Sequence, residues 1–193
     1  MRIRKRDPIP PPRGLIPARP MAGPPRAYHH GDLPNALVTA AVELAAAGGP
    51  DAISVRAAAR AVGVAPSAVY RHFTDREQLV SAVRQRVVRR LAHAMRQRQP
   101  ATASGLSAAA HAYICFAVMQ PGLFRTISVR ATPEHRPFRV VDGVRLDPAT
   151  EMAVWSAVHG LALLVSGGPL KDLPDQARDE AVEGLLAALA RGL

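Results

Sequence analysis

The 193-residue sequence has little cysteine and few aromatic residues, and each shortage narrows the class of protein. Its one cysteine, Cys115, excludes an internal disulfide, and an apolar neighbourhood favours a buried thiol over a nucleophile. Aromatic residues make up 4% of a chain that is 48% hydrophobic, which favours helices packed through Ala, Val and Leu. We find no apolar run long enough to span a membrane and no apolar signal-peptide segment. We therefore expect an all-α protein in the cytoplasm.

The net charge of +10 is concentrated in the first half of the chain. Residues 1–100 carry 17 basic and 6 acidic side chains, whereas residues 101–193 carry 8 basic and 9 acidic ones. An arginine-rich genome would explain the total, because only two of the basic residues are lysines, but it would not explain the asymmetry. The pattern indicates that the basic N-terminal half binds a polyanion and that the C-terminal half has a different function.

Residues 1–27 are rich in proline and in basic side chains, and we predict that they form a disordered basic arm. Such a segment cannot pack into a core. In the alternative interpretation the protein starts at Met21, and the first twenty residues are a mis-assigned extension. The sequence leaves both interpretations open.

Apolar residues recur at helical spacing through the rest of the chain. Asp32 followed by Pro34 predicts the start of the first helix, Ser54 caps the second, and Gly63 ends it. Residues 131–148 are predicted to be loop with broken helical turns. The helices are predicted at about 32–48, 54–63, 66–73, 75–100 and 104–119, then briefly after Pro121, and finally at 147–166 and 174–191.

The stretch VGVAPSAVYRHF, residues 62–73, ends one helix with a glycine and at once starts another with a proline. On a helical wheel Val69 and Phe73 point inward, whereas Ser67 and Arg71 lie on the opposite side. Small residues at the start of such a helix let it approach base edges in the major groove, and Tyr, His and Arg at its rim can bond phosphates. The pattern is typical of a helix-turn-helix, although a solvated turn between two helices has the same spacing.

The segment ISVRAAARAVGVAPSAVYRHFTDREQLVSAV, residues 53–83, resembles the DNA-binding domain of the TetR family of transcriptional regulators. The segment YHHGDLPNALVTAAVELAAAGG, residues 28–49, extends the resemblance through the first helix. The resemblance implies a helix-turn-helix domain over residues 28–75. The DNA-binding residues it implies are Ser54, Arg56, Pro66, Ser67, Ala68, Tyr70, Arg71, His72 and Arg76.

Within this set, Tyr70, His72 and Arg76 would bond phosphates. Ser67 and Ala68 would face bases. The chain departs from the family at the N-cap of the recognition helix, where Ala65 replaces the usual Ser or Thr. The missing cap is worth about 1 kcal/mol, which a proline at the first helical position recovers in part.

Residues 76–193 contain no defensible catalytic set, and their histidines lack the spacing of metal ligands. We therefore expect no enzyme activity, no metal and no cofactor. WSAVHGLALLVSGG, residues 155–168, resembles the Trp-x-x-x-His-Gly signature of one TetR C-terminal class, as does HAYICFAVMQPGLFRTI, residues 111–127. The helix that carries WSAVHGLALLVSGG is apolar nearly all round, so it should be buried on several sides.

This second resemblance implies a helical domain that dimerises through its last two helices and encloses a pocket for a small-molecule effector. Candidate pocket residues are Tyr113, Phe116, Met119, Phe124, Met152, Trp155 and His159, which could equally fill the core. The sequence thus predicts a homodimeric regulator, usually a repressor in this family, on a palindromic operator. The alternatives are a DNA-binding factor with no effector and an enzyme that uses the C-terminal cavity.

Overall fold

The computed structural model describes residues 32–97, 105–128, 137–138, 140–141 and 144–192, so the predicted basic arm lies outside the described residues. The helices are α1 (Leu33–Gly48), α2 (Val55–Val62), α3 (Pro66–Tyr70), α4 (Arg76–Gln97), α5 (Gly105–Met119), α6 (Pro121–Ser128), α7 (Pro148–Ser166) and α8 (Asp175–Gly192). A 3-10 turn, η1 (Pro50–Ala52), follows α1. The two-residue strands β1 (Val140–Val141) and β2 (Val144–Arg145) pair antiparallel. The predicted all-α fold is confirmed.

Local signals place the ends of the first helices where the sequence predicted them. The Asp32 carboxylate accepts a hydrogen bond of 3.2 Å from the Asn35 N–H, and the Ser54 hydroxyl accepts one of 3.1 Å from the Ala57 N–H. Gly63 has a φ of 79°, in the left-handed region that favours glycine. The chain can therefore turn directly from α2 into α3.

The recognition helix α3 is shorter than predicted, because it ends at Tyr70 rather than at Phe73. The N–H groups of His72 and Phe73 both donate to the Val69 carbonyl, at 2.9 and 3.0 Å, which closes the helix in a turn. Val69 and Phe73 are buried as predicted, and they pack into the core of α1, α2 and α4. Two apolar side chains thus fix the orientation of this short helix.

Helix α5 lies at the centre of the C-terminal part, where it packs against α4, α6, α7 and α8. The N-terminus of α7 is capped by the Asp147 carboxylate, which accepts hydrogen bonds from the Ala149 and Thr150 N–H groups. Helix α6 packs on α1 as well as on α4 and α5, so buried residues of both halves form one hydrophobic cluster.

Helix α7 differs from two expectations drawn from the sequence. We expected no apolar run long enough to span a membrane, and we expected this helix to be buried on several sides. Its length and composition are sufficient to cross a membrane, and only 28% of an apolar 18-residue stretch of this helix is buried in the protomer. Met152, Leu163 and Leu164 are 47%, 43% and 40% exposed. The expectation of burial on several sides failed because a helix that is apolar on all sides need not be covered on all sides by its own chain.

Candidate DNA-binding surface and C-terminal ring cluster

Helices α2 and α3 present the predicted DNA-binding side chains at the surface. Arg56 on α2 is exposed, and so are Pro66 and Ser67 at the start of α3. Tyr70, at the end of α3, is 54% exposed. Ala68 is half-buried, and the turn that follows α3 exposes Arg71 and His72.

This surface carries positive charge that its neighbours do not neutralise. Arg56, Arg60 and Arg71 are exposed, and within the part of the chain that the structure describes none of them forms an ion pair. Exposed guanidinium groups beside a short helix are suited to phosphate oxygens, which accept two parallel hydrogen bonds from arginine. The surface is therefore complementary to a polyanion.

The start of α3 lacks a side-chain cap, as the alanine at position 65 implied. Ala65 makes no capping bond through its side chain, and its carbonyl accepts the Ala68 N–H at 2.9 Å. Pro66 occupies the first helical position and has no N–H to satisfy. The first turn of α3 is thus held by fewer hydrogen bonds than a Ser- or Thr-capped helix would have.

Two other predicted DNA contacts have structural partners within the protein. The Ser54 hydroxyl caps α2. The Arg76 guanidinium donates to the carbonyls of Ile53 and Pro50 at 2.8 and 2.7 Å, so it ties the start of α4 to the chain between α1 and α2. Both positions stay predictions as DNA contacts, and the internal bonds show that each also positions the helix-turn-helix.

Four of the predicted pocket residues come together in the C-terminal part, where Phe138 joins them. We call this arrangement the ring cluster: Tyr113, Phe124, Phe138, Trp155 and His159. The Tyr113 hydroxyl lies 2.8 Å from His159 Nδ1. The Tyr113 ring packs edge-on against the Phe124 ring, with ring centroids 5.6 Å apart. The ring centroids of Trp155 and His159 are 6.1 Å apart. Aromatic pairs at these separations stabilise beyond simple burial.

The remaining predicted pocket residues lie elsewhere. Phe116 is 1% exposed and belongs to the core, whereas Met119 and Met152 are 42% and 47% exposed on the protomer surface. Sequence reasoning missed Phe138, because it lies in a stretch without helical periodicity that was predicted to be loop. Its only signal was one aromatic residue, shortly before Val140 and Val141, in a segment rich in proline and arginine, and that signal is weak.

Both polar members of the ring cluster are neutral near pH 7. Burial raises the pKa of the Tyr113 phenol to about 12, even though the neighbouring Trp155 indole acts in the opposite direction. Burial lowers the pKa of His159 below the ordinary value of 6.5. Tyr113 and His159 are therefore joined by a hydrogen bond between two neutral groups, in which the donor depends on the histidine tautomer.

The stability of the protein is expected to fall as pH decreases through the ordinary histidine pKa of about 6.5. The folded pKa of His159 is depressed, so the unfolded chain binds the proton first and gains stability as the pH falls. His159→Gln, which cannot be protonated, should flatten this decrease. Chemical denaturation of both proteins across the acidic range gives the difference curve, in which the other histidines cancel. Parallel curves would contradict the expectation.

Helix α6 connects the ring cluster to the helix-turn-helix half. Phe124, on α6, has its ring centroid 5.5 Å from that of His159. Gly122 packs so closely on the C-terminal end of α1 that an added Cβ would lie 2.4 Å from the Ala45 carbonyl oxygen. The Thr126 carbonyl accepts a hydrogen bond of 3.1 Å from Arg84 on α4. One eight-residue helix therefore touches the cluster, α1 and α4.

No metal site was found within the described ranges, where no three His, Cys, Asp or Glu side chains are grouped so as to hold an ion. The fold and the exposed α2–α3 surface define a helix-turn-helix protein. Residues 37–83 match the family described as "Bacterial regulatory proteins, tetR family", and residues 106–189 match "Tetracyclin repressor-like, C-terminal domain". The chain belongs to the TetR family of DNA-binding transcriptional regulators.

Solved structures show the same fold. A protein of unknown function from Rhodococcus sp. RHA1 is 25% identical with a TM-score of 0.63, over 87% of this chain and 98% of its own. A TetR family transcription regulator from Marinobacter aquaeolei VT8 is 22% identical with a TM-score of 0.54, over 81% and 95%. A TetR-like transcriptional regulator from Rhodococcus sp. RHA1 is 16% identical with a TM-score of 0.57, over 86% and 97%. No protein of curated function matches the sequence.

Proposed function

We propose that this DNA-binding regulator is a homodimeric cytoplasmic repressor that a small-molecule effector releases from a palindromic operator. The observation that carries the DNA-binding part is the exposed surface of α2 and α3 with its unpaired arginines. In a dimer the two copies of α3 would enter successive major grooves about one helical turn apart, with Ser67 and Ala68 towards bases and Tyr70 and His72 on phosphates.

The apolar side of α7 supports the homodimer. A soluble protein rarely leaves several large apolar side chains exposed along one helix unless another surface covers them. Leu163 and Leu164 are exposed in the protomer, and the outward positions of α8 include Gly184, Ala187 and Ala188. Small residues let two helices approach closely, so α7 and α8 together suit a four-helix interface with the same surface of a second copy.

The contacts of α6 support release by an effector. A ligand that displaces Phe124 in the ring cluster would move a helix that also rests on α1 and α4. Such a ligand changes operator affinity only if it binds one arrangement of these helices more tightly than the other. A DNA-binding factor with no effector is the second candidate, and unchanged operator affinity across a broad metabolite panel would favour it. No observation favours an enzyme.

Selection of bound sites from random duplexes tests the DNA-binding proposal most directly. We expect a palindromic consensus with half-sites about one helical turn apart, because two symmetry-related α3 helices would read it. A consensus without symmetry, or no enrichment at all, would contradict the proposed dimeric reading of DNA.

Arg71→Ala is expected to weaken operator binding by about 10-fold, because truncating a DNA-contacting arginine typically costs about 1–3 kcal/mol. Dimerisation should be unaffected, since Arg71 follows α3, which packs on α2, whereas the proposed interface is formed by α7 and α8. Arg96→Ala is the matched control, an exposed arginine about 30 Å further along α4 than Arg76 at the usual helical rise. Fluorescence anisotropy with a labelled operator measures both affinities. Equal losses in the two variants would contradict the placement of α3 in the groove.

A further inference from the structure

The second half of α4 carries a row of basic side chains. From residue 78 to residue 97 this helix has five arginines and one histidine, and it has no aspartate or glutamate. Positions 89, 93 and 96 are four and three residues apart, so they lie on one side of the helix, with position 90 beside them. All four side chains are exposed, and we call them the α4 stripe: Arg89, Arg90, His93 and Arg96.

The α4 stripe has no partner of opposite charge in the part of the chain that the structure describes. None of its four side chains forms an ion pair or a hydrogen bond there. Arg86, one turn before Arg90, differs from them because its guanidinium donates to the Asn35 side chain on α1. A solvated helix face usually mixes charges of both signs, since like charges one turn apart destabilise a helix. A bound polyanion would relieve the repulsion within the stripe.

The helices around α4 bring no carboxylate to the stripe. Helix α4 packs chiefly against α1, α5 and α6; α5 and α6 contain no acidic residue, and α1 contains only Glu43. Helix α1 runs antiparallel to α4, because Asn35, near the start of α1, bonds to Arg86. Beyond the end of α1, the Pro50 carbonyl accepts a hydrogen bond from Arg76 at the start of α4. Glu43 therefore lies towards the start of α4, away from the stripe.

The α4 stripe is distinct from the surface that α2 and α3 present to DNA. Arg76 ties the start of α4 to the chain that precedes α2. At the usual helical rise, Arg89 and Arg96 lie about 20 and about 30 Å further along the axis than Arg76. The side chains of the stripe are long and basic, so they suit phosphate groups rather than base edges. The protein thus has two basic surfaces at different heights on α4.

We propose that the α4 stripe binds the phosphate backbone of a second DNA segment, so that a regulator bound at its operator holds two duplexes together. A guanidinium donates two parallel hydrogen bonds to phosphate oxygens, which suits the three arginines of the stripe. A regulator on the chromosome is surrounded by further duplex, so DNA is the polyanion nearest to the stripe. This inference goes beyond the proposed function, since it requires neither an effector nor repression.

Capture of a second duplex tests this inference on the full-length protein. The protein first saturates an immobilised operator that is just long enough to hold the selected consensus, so the α2–α3 surface is occupied. A short fluorescent duplex without the consensus is then added. We expect capture with a dissociation constant of about 1–100 μM at physiological salt, the usual range for binding that is independent of sequence. Titrations at several salt concentrations give the dependence of log affinity on log salt.

Two double variants separate the stripe from the overall charge of the protein. Arg89→Gln/Arg96→Gln should weaken capture by at least about 10-fold and lower the salt slope by about 2, because two phosphate contacts are lost. Arg145→Gln/Lys171→Gln removes the same charge from exposed positions outside the stripe, and it should keep both the capture and the slope. Both variants should bind the short operator as tightly as the parent protein. Circular dichroism checks that each variant is folded.

The possible outcomes separate this inference from the proposed function. Absence of capture by the parent protein, or capture that survives Arg89→Gln/Arg96→Gln, would overturn the inference. Polyglutamate that competes better than duplex of equal charge would also overturn it, and would assign the stripe to an acidic protein. If selection yields no operator, the proposed function fails, and the salt slope on a random-sequence duplex tests the stripe instead. A lower slope in the stripe variant alone supports the inference, and equal slopes overturn it.

Discussion

The double variant Leu163→Glu/Leu164→Glu is expected to be monomeric and to lose at least about 100-fold in operator affinity. Both side chains are exposed in the protomer, at 43% and 40%, so glutamate should not disturb its core. In the proposed dimer the carboxylates would be buried without partners, which strongly opposes association. A monomer contacts one half-site only. In a dimer, binding of the first α3 helix holds the second close to its half-site at a high effective concentration, and a monomer loses this gain.

Light scattering coupled to gel filtration measures the oligomeric state of this variant, and anisotropy measures its operator binding. Gln85→Glu is the control, since it adds a carboxylate at an exposed position of α4 away from the proposed interface. The control should remain dimeric. A double variant that still elutes as a dimer would exclude this side of α7 as the interface.

Gly122→Ala is expected to lower the free energy of unfolding by about 1–3 kcal/mol, the usual cost of overpacking a core. The added methyl would lie 2.4 Å from the Ala45 carbonyl oxygen and 2.6 Å from that of Ala46. Both atoms belong to the backbone of α1, so no side chain can rotate away. Helix α6 must move off α1, and the contact that joins the two halves loosens.

Ser81→Ala provides the comparison, because it also places an alanine within a helix, but at an exposed position of α4 outside the proposed interface. Helix propensity alone should then stabilise α4 by at most about 0.5 kcal/mol. Urea denaturation of the two variants and the parent protein measures both changes. Equal stability of Gly122→Ala and the parent would mean that α6 does not rest on α1 as tightly as described.

The elements that the sequence predicted well depend on interactions between residues close together in the chain. Asp32 and Ser54 each cap a helix three residues onward, and Gly63 needs only its own left-handed conformation. The inward direction of Val69 followed from helical spacing. These signals are complete within one or two turns of helix, so no knowledge of the tertiary fold was needed to use them.

The features that the sequence did not predict depend on distant contacts. Arg76 bonds to carbonyls 23 and 26 residues away, and Arg84 bonds to one 42 residues away. Phe138 joins the ring cluster from outside any helix. The end of α3 at Tyr70 rather than at Phe73 is an exception, because the hydrogen bonds from His72 and Phe73 to the Val69 carbonyl are local. Composition and periodicity carry no information about such pairings.

The uncapped start of α3 has a consequence for how the protein reads DNA. Five residues are too few to sustain a helix alone, and Ala65 contributes no side-chain bond to its first turn. The amide hydrogens of this turn should exchange with solvent faster in the free protein than those of α2, whose serine cap is in place. Binding of α3 in a DNA groove would then complete the folding of this helix. Part of the enthalpy of DNA binding would therefore come from ordering of the protein itself.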